Sequence, residues 1–161
     1  SRHLPPDGCN PGLDGLGRQG PSLTMTTMVT MTMMAAVAVG GAIGATLRYS
    51  ISLGIGAGVF GVSGPLATLV VNVVGSALMG CLAGSVAAGM VLPEAWRGFL
   101  AVGVLGALTT FSSFALDAGS LLQRTGQMMS LVYICLSVGL SLLAFGAAHM
   151  LAGMLFGRGG G

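Results

Sequence analysis

The amino-acid sequence predicts an all-α membrane protein of four transmembrane helices, the third broken near its middle, assembled as an antiparallel homodimer. Three observations carry the fold class. Of the 161 residues, 53% are hydrophobic and only 6% charged, against about a quarter charged in a soluble domain. The mean hydropathy is +0.91. Four apolar segments each exceed the roughly 20 residues that a helix needs to cross the hydrocarbon core, and the alternating polarity of membrane-barrel strands is absent from the sequence.

Residues 1–32 stand apart. SRHLPPDGCNPGLDGLGRQGPSL is rich in Gly, Pro and charge and lacks apolar periodicity, so it is expected to be disordered. An over-extended gene start fits the run of methionines that follows, with the native start between Met25 and Met34. A signal peptide fits less well, because the segment before the apolar run is long and neutral. The transmembrane domain is expected over 33–157, with a short tail at 158–161.

The first span is expected at about 33–53, ending around Arg48 and Tyr49. The second covers 65–92, interrupted only by Asn72 and a few hydroxyls. The third covers 96–122 and the fourth 128–156. The links are short: a glycine-rich stretch at 54–64, a turn at Pro93 and Glu94, and a third at 124–127. Glycine, at 29 residues, is costly in a soluble helix but lets membrane helices approach closely. GGAIGA (40–45), GSALMGCLAG (75–84) and GVLGA (103–107) therefore read as packing faces. Cys81 and Cys135, inside apolar runs, read as small buried hydrophobes rather than members of a disulfide framework.

The net charge of +2 comes from six scattered Arg against four acids, which excludes a nucleic-acid patch; no nucleotide partner is expected. Across the bilayer the basic residues balance. Arg97 and Arg158 fall on one side, Arg48 and Arg124 on the other, so the bias that normally fixes orientation is missing. Such a chain can insert both ways, and four helices leave little room for a private pathway. Hence the antiparallel homodimer.

Polar groups inside spans are expensive and tend to be functional. Thr68, Asn72 and Ser76 recur every four residues and share one helix face. Tyr133, Ser137 and Ser141 do the same on the fourth helix. Hydroxyls often just bond back to the i−4 carbonyl. Two aligned stripes, one containing an Asn, favour a hydrated path instead. The stripes hold no carboxylate, as a proton relay or cation carrier would require, whereas neutral donors suit an anion. In TTFSSFALD (109–117), Thr109, Thr110, Ser112 and Ser113 surround Phe111 and Phe114, whose ring edges carry the positive part of the quadrupole. Consecutive Thr and Ser after Gly106 weaken the helical ladder. Unwound backbone at membrane depth is tolerated where it is buried in protein or lines a cavity, and its carbonyls can coordinate Na⁺.

These residues resemble the small four-helix fluoride channels called Fluc or CrcB. The likeness runs from about Gly40 to Phe156 and rests on GGAIGATLRY (40–49), TLVVNVVGS (68–76), GALTTFSSF (106–114) and the Tyr133, Ser137, Ser141 stripe. The resemblance implies a dual-topology homodimer in the lipid bilayer of the cytoplasmic membrane, with two fluoride pores and a structural Na⁺ at the central dyad. It implies that Gly106 and Thr109 offer backbone carbonyls to Na⁺ and that Phe111 and Phe114 are pore phenylalanines. Asn72 becomes the pore amide, Tyr133, Ser137 and Ser141 the polar track, and Thr68 and Arg48 residues of the pore and its vestibule. Thr110 and Ser113 join the ion pathway. Ser113 stands where the family usually has Thr, and Asp117 where Glu is usual. The sequence shows no energy source, so a passive fluoride exporter, not an enzyme, is expected.

Two alternatives remain on sequence. A small dual-topology multidrug/proton exchanger needs a membrane carboxylate, for which Asp117 is the only candidate. An intramembrane serine protease would use GVSG (61–64), with Ser63 as nucleophile and His149 as base.

Overall fold

A computed structural model describes residues 23–56 and 63–157 of the chain. The remainder, including the expected disorder of residues 1–22, Cys9, most of the glycine-rich first link and the tail at 158–161 with its Arg158, lies outside the described residues. Within them the chain is helical apart from short links and a two-residue break. Four helices are long and apolar enough to cross a membrane: Thr27–Ile55, Gly64–Ala87, Glu94–Thr125 and Gln127–Phe156.

The first helix, α1 (Leu23–Gly56), starts ahead of the expected residue 33. The Thr/Met run has no Pro or Gly to break it, and its hydroxyls are absorbed locally: the Thr32 hydroxyl donates to the Met28 carbonyl at 3.0 Å. Hydropathy marks where the chain prefers lipid, not where it stops being helical. The helix has 34 residues and is about 51 Å long, well beyond the ~30 Å hydrocarbon core.

The second, α2 (Ser63–Ala87), stops short of the expected residue 92. Gly89 adopts φ +102. Its N–H bonds the Val86 carbonyl at 3.1 Å, and the Met90 N–H reaches back to Ser85 at 3.0 Å. This Schellman arrangement uses a left-handed residue that glycine alone adopts without strain.

The third span is built from four pieces: α3 (Glu94–Arg97), α4 (Gly98–Leu105), α5 (Gly106–Leu108) and α6 (Phe111–Thr125). Of these, α4 is wound as a wide π-helix, closing i→i+5 rather than i→i+4 bonds. The expected break falls between α5 and α6. The fourth span is α7 (Gln127–Phe156).

Between α6 and α7 the link is a single residue, Gly126, at φ 93 and ψ 174. Only glycine tolerates that region. Gly126→Ala is expected to lower stability by about 1–3 kcal/mol, read as a drop in thermal midpoint in detergent; an unchanged midpoint would count against this hinge.

Spans pair in parallel, first with third and second with fourth. A Cβ on Gly40 would strike the Phe99 carbonyl, and one on Gly44 the Val104 carbonyl. Four residues on α1 thus match five on the third span, the register that wide winding allows. On the other pair, Gly80 faces the Phe145 carbonyl and Gly84 the His149 carbonyl. All three glycine-rich motifs pack as expected except at Gly41, with nothing near it, and at Gly106, which is open. Cys81 and Cys135 are both exposed, contrary to the expectation of burial. In a bilayer the apolar exterior is as comfortable for a thiol as a core, so an apolar neighbourhood in sequence does not select the inside.

Candidate functional site

The break in the third span is two residues of extended backbone. Thr109 has φ −76 and ψ 151, and Thr110 has φ −149 and ψ 118. A single side chain from α2 pairs with it. The Thr110 N–H donates to Asn72 Oδ1 at 2.8 Å, and Asn72 Nδ2 donates to the Thr110 carbonyl at 3.2 Å. The Asn72 amide therefore behaves like a peptide unit of a neighbouring strand, which only a side chain with both a donor and an acceptor can do.

Helix resumes because the Thr110 hydroxyl caps α6, accepting the Ser113 N–H at 3.2 Å. The same hydroxyl lies 3.2 Å from both Ser112 Oγ and Ser113 Oγ. In an unbroken helix the Thr110 N–H would close on the Gly106 carbonyl, and the Ser113 N–H on the Thr109 carbonyl. Both donors are diverted to side chains. The two carbonyls that the resemblance implies for a cation are thus among those relieved of their helical partners at the break. Gly75 lets α2 approach the break, since a Cβ there would strike the Thr109 methyl.

Along α2 and α7 the two polar stripes face each other in register. The rows Thr68, Asn72, Ser76, Gly80, Gly84 and Tyr133, Ser137, Ser141, Phe145, His149 both step by four. They touch tightly at Gly80–Phe145 and Gly84–His149, and Thr68 stands beside the Tyr133 phenol. Toward the polar ends they enclose an open cleft of ≈ 370 Å³, which brings together Asn72, Ser76, Phe111, Phe114, Ser137 and Ser141 beside the broken backbone of Thr109 and Thr110. A second pocket of ≈ 240 Å³ gathers Arg48, Thr68, Thr110 and Ser113 with Tyr49 and Ser52. Thr110 belongs to both.

Tyr133 lies between them. Its ring follows Phe111 and Phe114 in a row, at centroid separations of 5.5 Å and 5.6 Å, and Ser137, Asp117 and Thr68 surround its phenol. Tyr133 OH, Ser137 Oγ and Asp117 Oδ2 are buried without a hydrogen-bond partner among the described residues. Such groups cost about 1–3 kcal/mol each unless solvent or an ion completes them. Elsewhere the hydroxyls of Thr46, Ser52, Ser85 and Thr125 bond back to the i−4 carbonyl. Those of Thr68, Ser76, Ser137 and Ser141 make no such bond among the described residues, which removes the local explanation for the stripes.

Two residues singled out from the sequence lie beside the clefts rather than in them. Gly106 is in neither cleft and is exposed on the open face of the span. Asp117 sits at the start of α2, where a Cβ on Gly64 would stand 3.3 Å from its Oδ1. Tyr49, Ser52, Met79 and Phe145 also line the clefts; only the four-residue continuation of the α7 stripe pointed to Phe145. The protease alternative fails on geometry. Ser63 opens α2 whereas His149 packs beside Gly84 near its other end, roughly 30 Å away along the helix.

The family model described as CrcB-like protein, Camphor Resistance (CrcB), matches residues 35–152. A Caulobacter vibrioides protein named fluoride-specific ion channel FluC is 42% identical over 128 residues, covering 78% of this chain and 99% of the relative. Proteins of the same name from Cereibacter sphaeroides and Rhizobium meliloti are 44% and 47% identical, covering 76% and 67% of this chain and 92% and 86% of theirs.

Proposed function

The chain belongs to the CrcB-like protein family, and from that premise we propose that it is a passive fluoride-selective channel of the cytoplasmic membrane, lowering intracellular fluoride. One observation supports this reading above the others: a line of uncharged donors runs from the Arg48 pocket past Thr68, Thr110 and Tyr133 to Ser137 and Ser141. The cleft holding Asn72 and both phenylalanines has no carboxylate in its lining. Neutral hydroxyls and an amide can replace part of the hydration shell of a small, hard anion while binding it loosely enough to release it. Arg48, in the outer pocket, raises the local anion concentration. The edges of Phe111 and Phe114 add positive quadrupole where hydroxyls are fewer.

The working unit is an antiparallel homodimer in the bilayer. Phe111 is 80% exposed in the single chain, and the cleft beside it is open. A second copy, inserted the other way round, closes this face and gives two pathways related by a twofold axis. The balance of Arg97 and Arg158 against Arg48 and Arg124 is compatible with both orientations.

Na⁺ fits the residues at the break. The Gly106 and Thr109 carbonyls have lost their helical donors, Gly106 faces outward, and unwound carbonyls are ligands that suit such a cation. Contributed from both copies, these oxygens would hold a Na⁺ on the dimer axis, where its charge supplies a fixed bond between protomers.

The test is efflux from liposomes containing the purified protein. Fluoride efflux should exceed chloride efflux by orders of magnitude with no added energy source. Equal rates, or no flux of either ion, would refute the channel reading.

A further inference from the structure

The geometry points to Asn72 and the Thr110 hydroxyl as positioning residues for the cation cradle, so that one amide serves the anion path and the cation together. This rests on the reading of Gly106 and Thr109 as Na⁺-binding carbonyls. For each of those carbonyls a specific side chain holds the N–H that would be its helical donor. Asn72 Oδ1 holds the Thr110 N–H at 2.8 Å, and the Thr110 hydroxyl holds the Ser113 N–H at 3.2 Å.

Thr110 is 8% exposed, so when Asn72 is removed its N–H needs another acceptor. A buried donor without a partner is costly. The acceptor that a regular helix supplies is the Gly106 carbonyl four residues back, and closing on it would rewind the break by one residue and consume a cation ligand. Removing the Thr110 hydroxyl likewise returns the Ser113 N–H to the Thr109 carbonyl. Asn72 also fixes the other side of the peptide, donating to the Thr110 carbonyl at 3.2 Å, so the extended conformation is held at both ends. Neither side chain needs to touch the ion.

The consequence is measurable apart from flux. Na⁺ that binds the folded dimer raises its thermal midpoint by an amount that grows with the ratio of Na⁺ concentration to its Kd. The full-length protein is purified in detergent and melted across a Na⁺ titration at constant ionic strength, with N-methylglucamine as the replacing cation. Asn72→Ala and Thr110→Val are expected to need on the order of tenfold more Na⁺ for the wild-type gain, the scale of one or two net hydrogen bonds. Thr110→Ser, which keeps the hydroxyl, should restore the wild-type midpoint. Phe111→Ile, which alters the path but not the break, should titrate like the wild type even as its fluoride flux falls. Wild-type Na⁺ dependence in both Asn72→Ala and Thr110→Val would overturn the inference while leaving the cation reading intact. A wild type that melts identically with and without Na⁺ would overturn the cation reading and this inference with it. If Asn72→Ala does not fold, the Thr110→Val and Thr110→Ser pair decides alone.

Discussion

Asn72→Asp is expected to cut fluoride efflux by roughly a hundredfold at neutral pH. The substitution changes two things at once. It removes the Nδ2–H that donates to the Thr110 carbonyl at 3.2 Å, and it sets a negative charge in the lining of the cleft. An anion passing at about 5 Å would be repelled by about 3 kcal/mol at an effective dielectric of ~20. That is on the order of a hundredfold in rate. The sign gives an internal control. Protonating the introduced carboxyl removes the charge, so flux in this variant should rise as pH falls. Loss of the amide pairing alone would not respond that way. Efflux within a few fold of the wild type at neutral pH, from protein that elutes and melts normally, would take Asn72 out of the path.

The sequence showed the stripes but not what they do to each other. Four-residue spacing put Thr68, Asn72 and Ser76 on one face and Tyr133, Ser137 and Ser141 on another, because helical periodicity is a local property. The contact that organises the site is not local. Asn72 and Thr110 lie far apart in the chain, and nothing in either neighbourhood says that a cleft-lining amide also splints a broken helix. The break itself was legible from Gly106 and the consecutive hydroxyls, whereas the carbonyls assigned to a cation came only from the family resemblance. Element ends were read less well. Hydropathy placed the first helix at residue 33 and the second through residue 92, whereas Leu23 and Ala87 bound them. Transfer free energy reports lipid preference, while ends depend on breakers and caps such as Gly89. The outward-facing Cys81 and Cys135 failed for a related reason: in a membrane protein the apolar solvent is outside.

Gly80→Leu is expected to abolish the folded protein, read as loss of the monodisperse species after detergent extraction, whereas Gly139→Leu, at a site with nothing within 4 Å, should be recovered normally. The asymmetry follows from what each side chain meets. At Gly80 a Cβ runs into the Phe145 carbonyl, and at Gly84 into that of His149. Inserting methylenes between side chains typically costs about 1–3 kcal/mol, because neighbours shift; backbone carbonyls of a continuous helix cannot. The only relief is to move α7 off α2 as a body. Those two glycines continue the row that carries Thr68, Asn72 and Ser76, and Phe145 and His149 continue the row of Tyr133, Ser137 and Ser141. Rows stepping by four form the ridges along which helices cross at an angle, so close contact at the glycine end sets how far the polar ends diverge. The spacing these glycines set bears on the width of the cleft between the two rows. A milder change at the same pivot, Gly84→Ala, should therefore leave some folded protein whose fluoride flux is reduced out of proportion to its loss of stability. If flux and stability fall together, the glycine row is packing alone and does not set the width of the path.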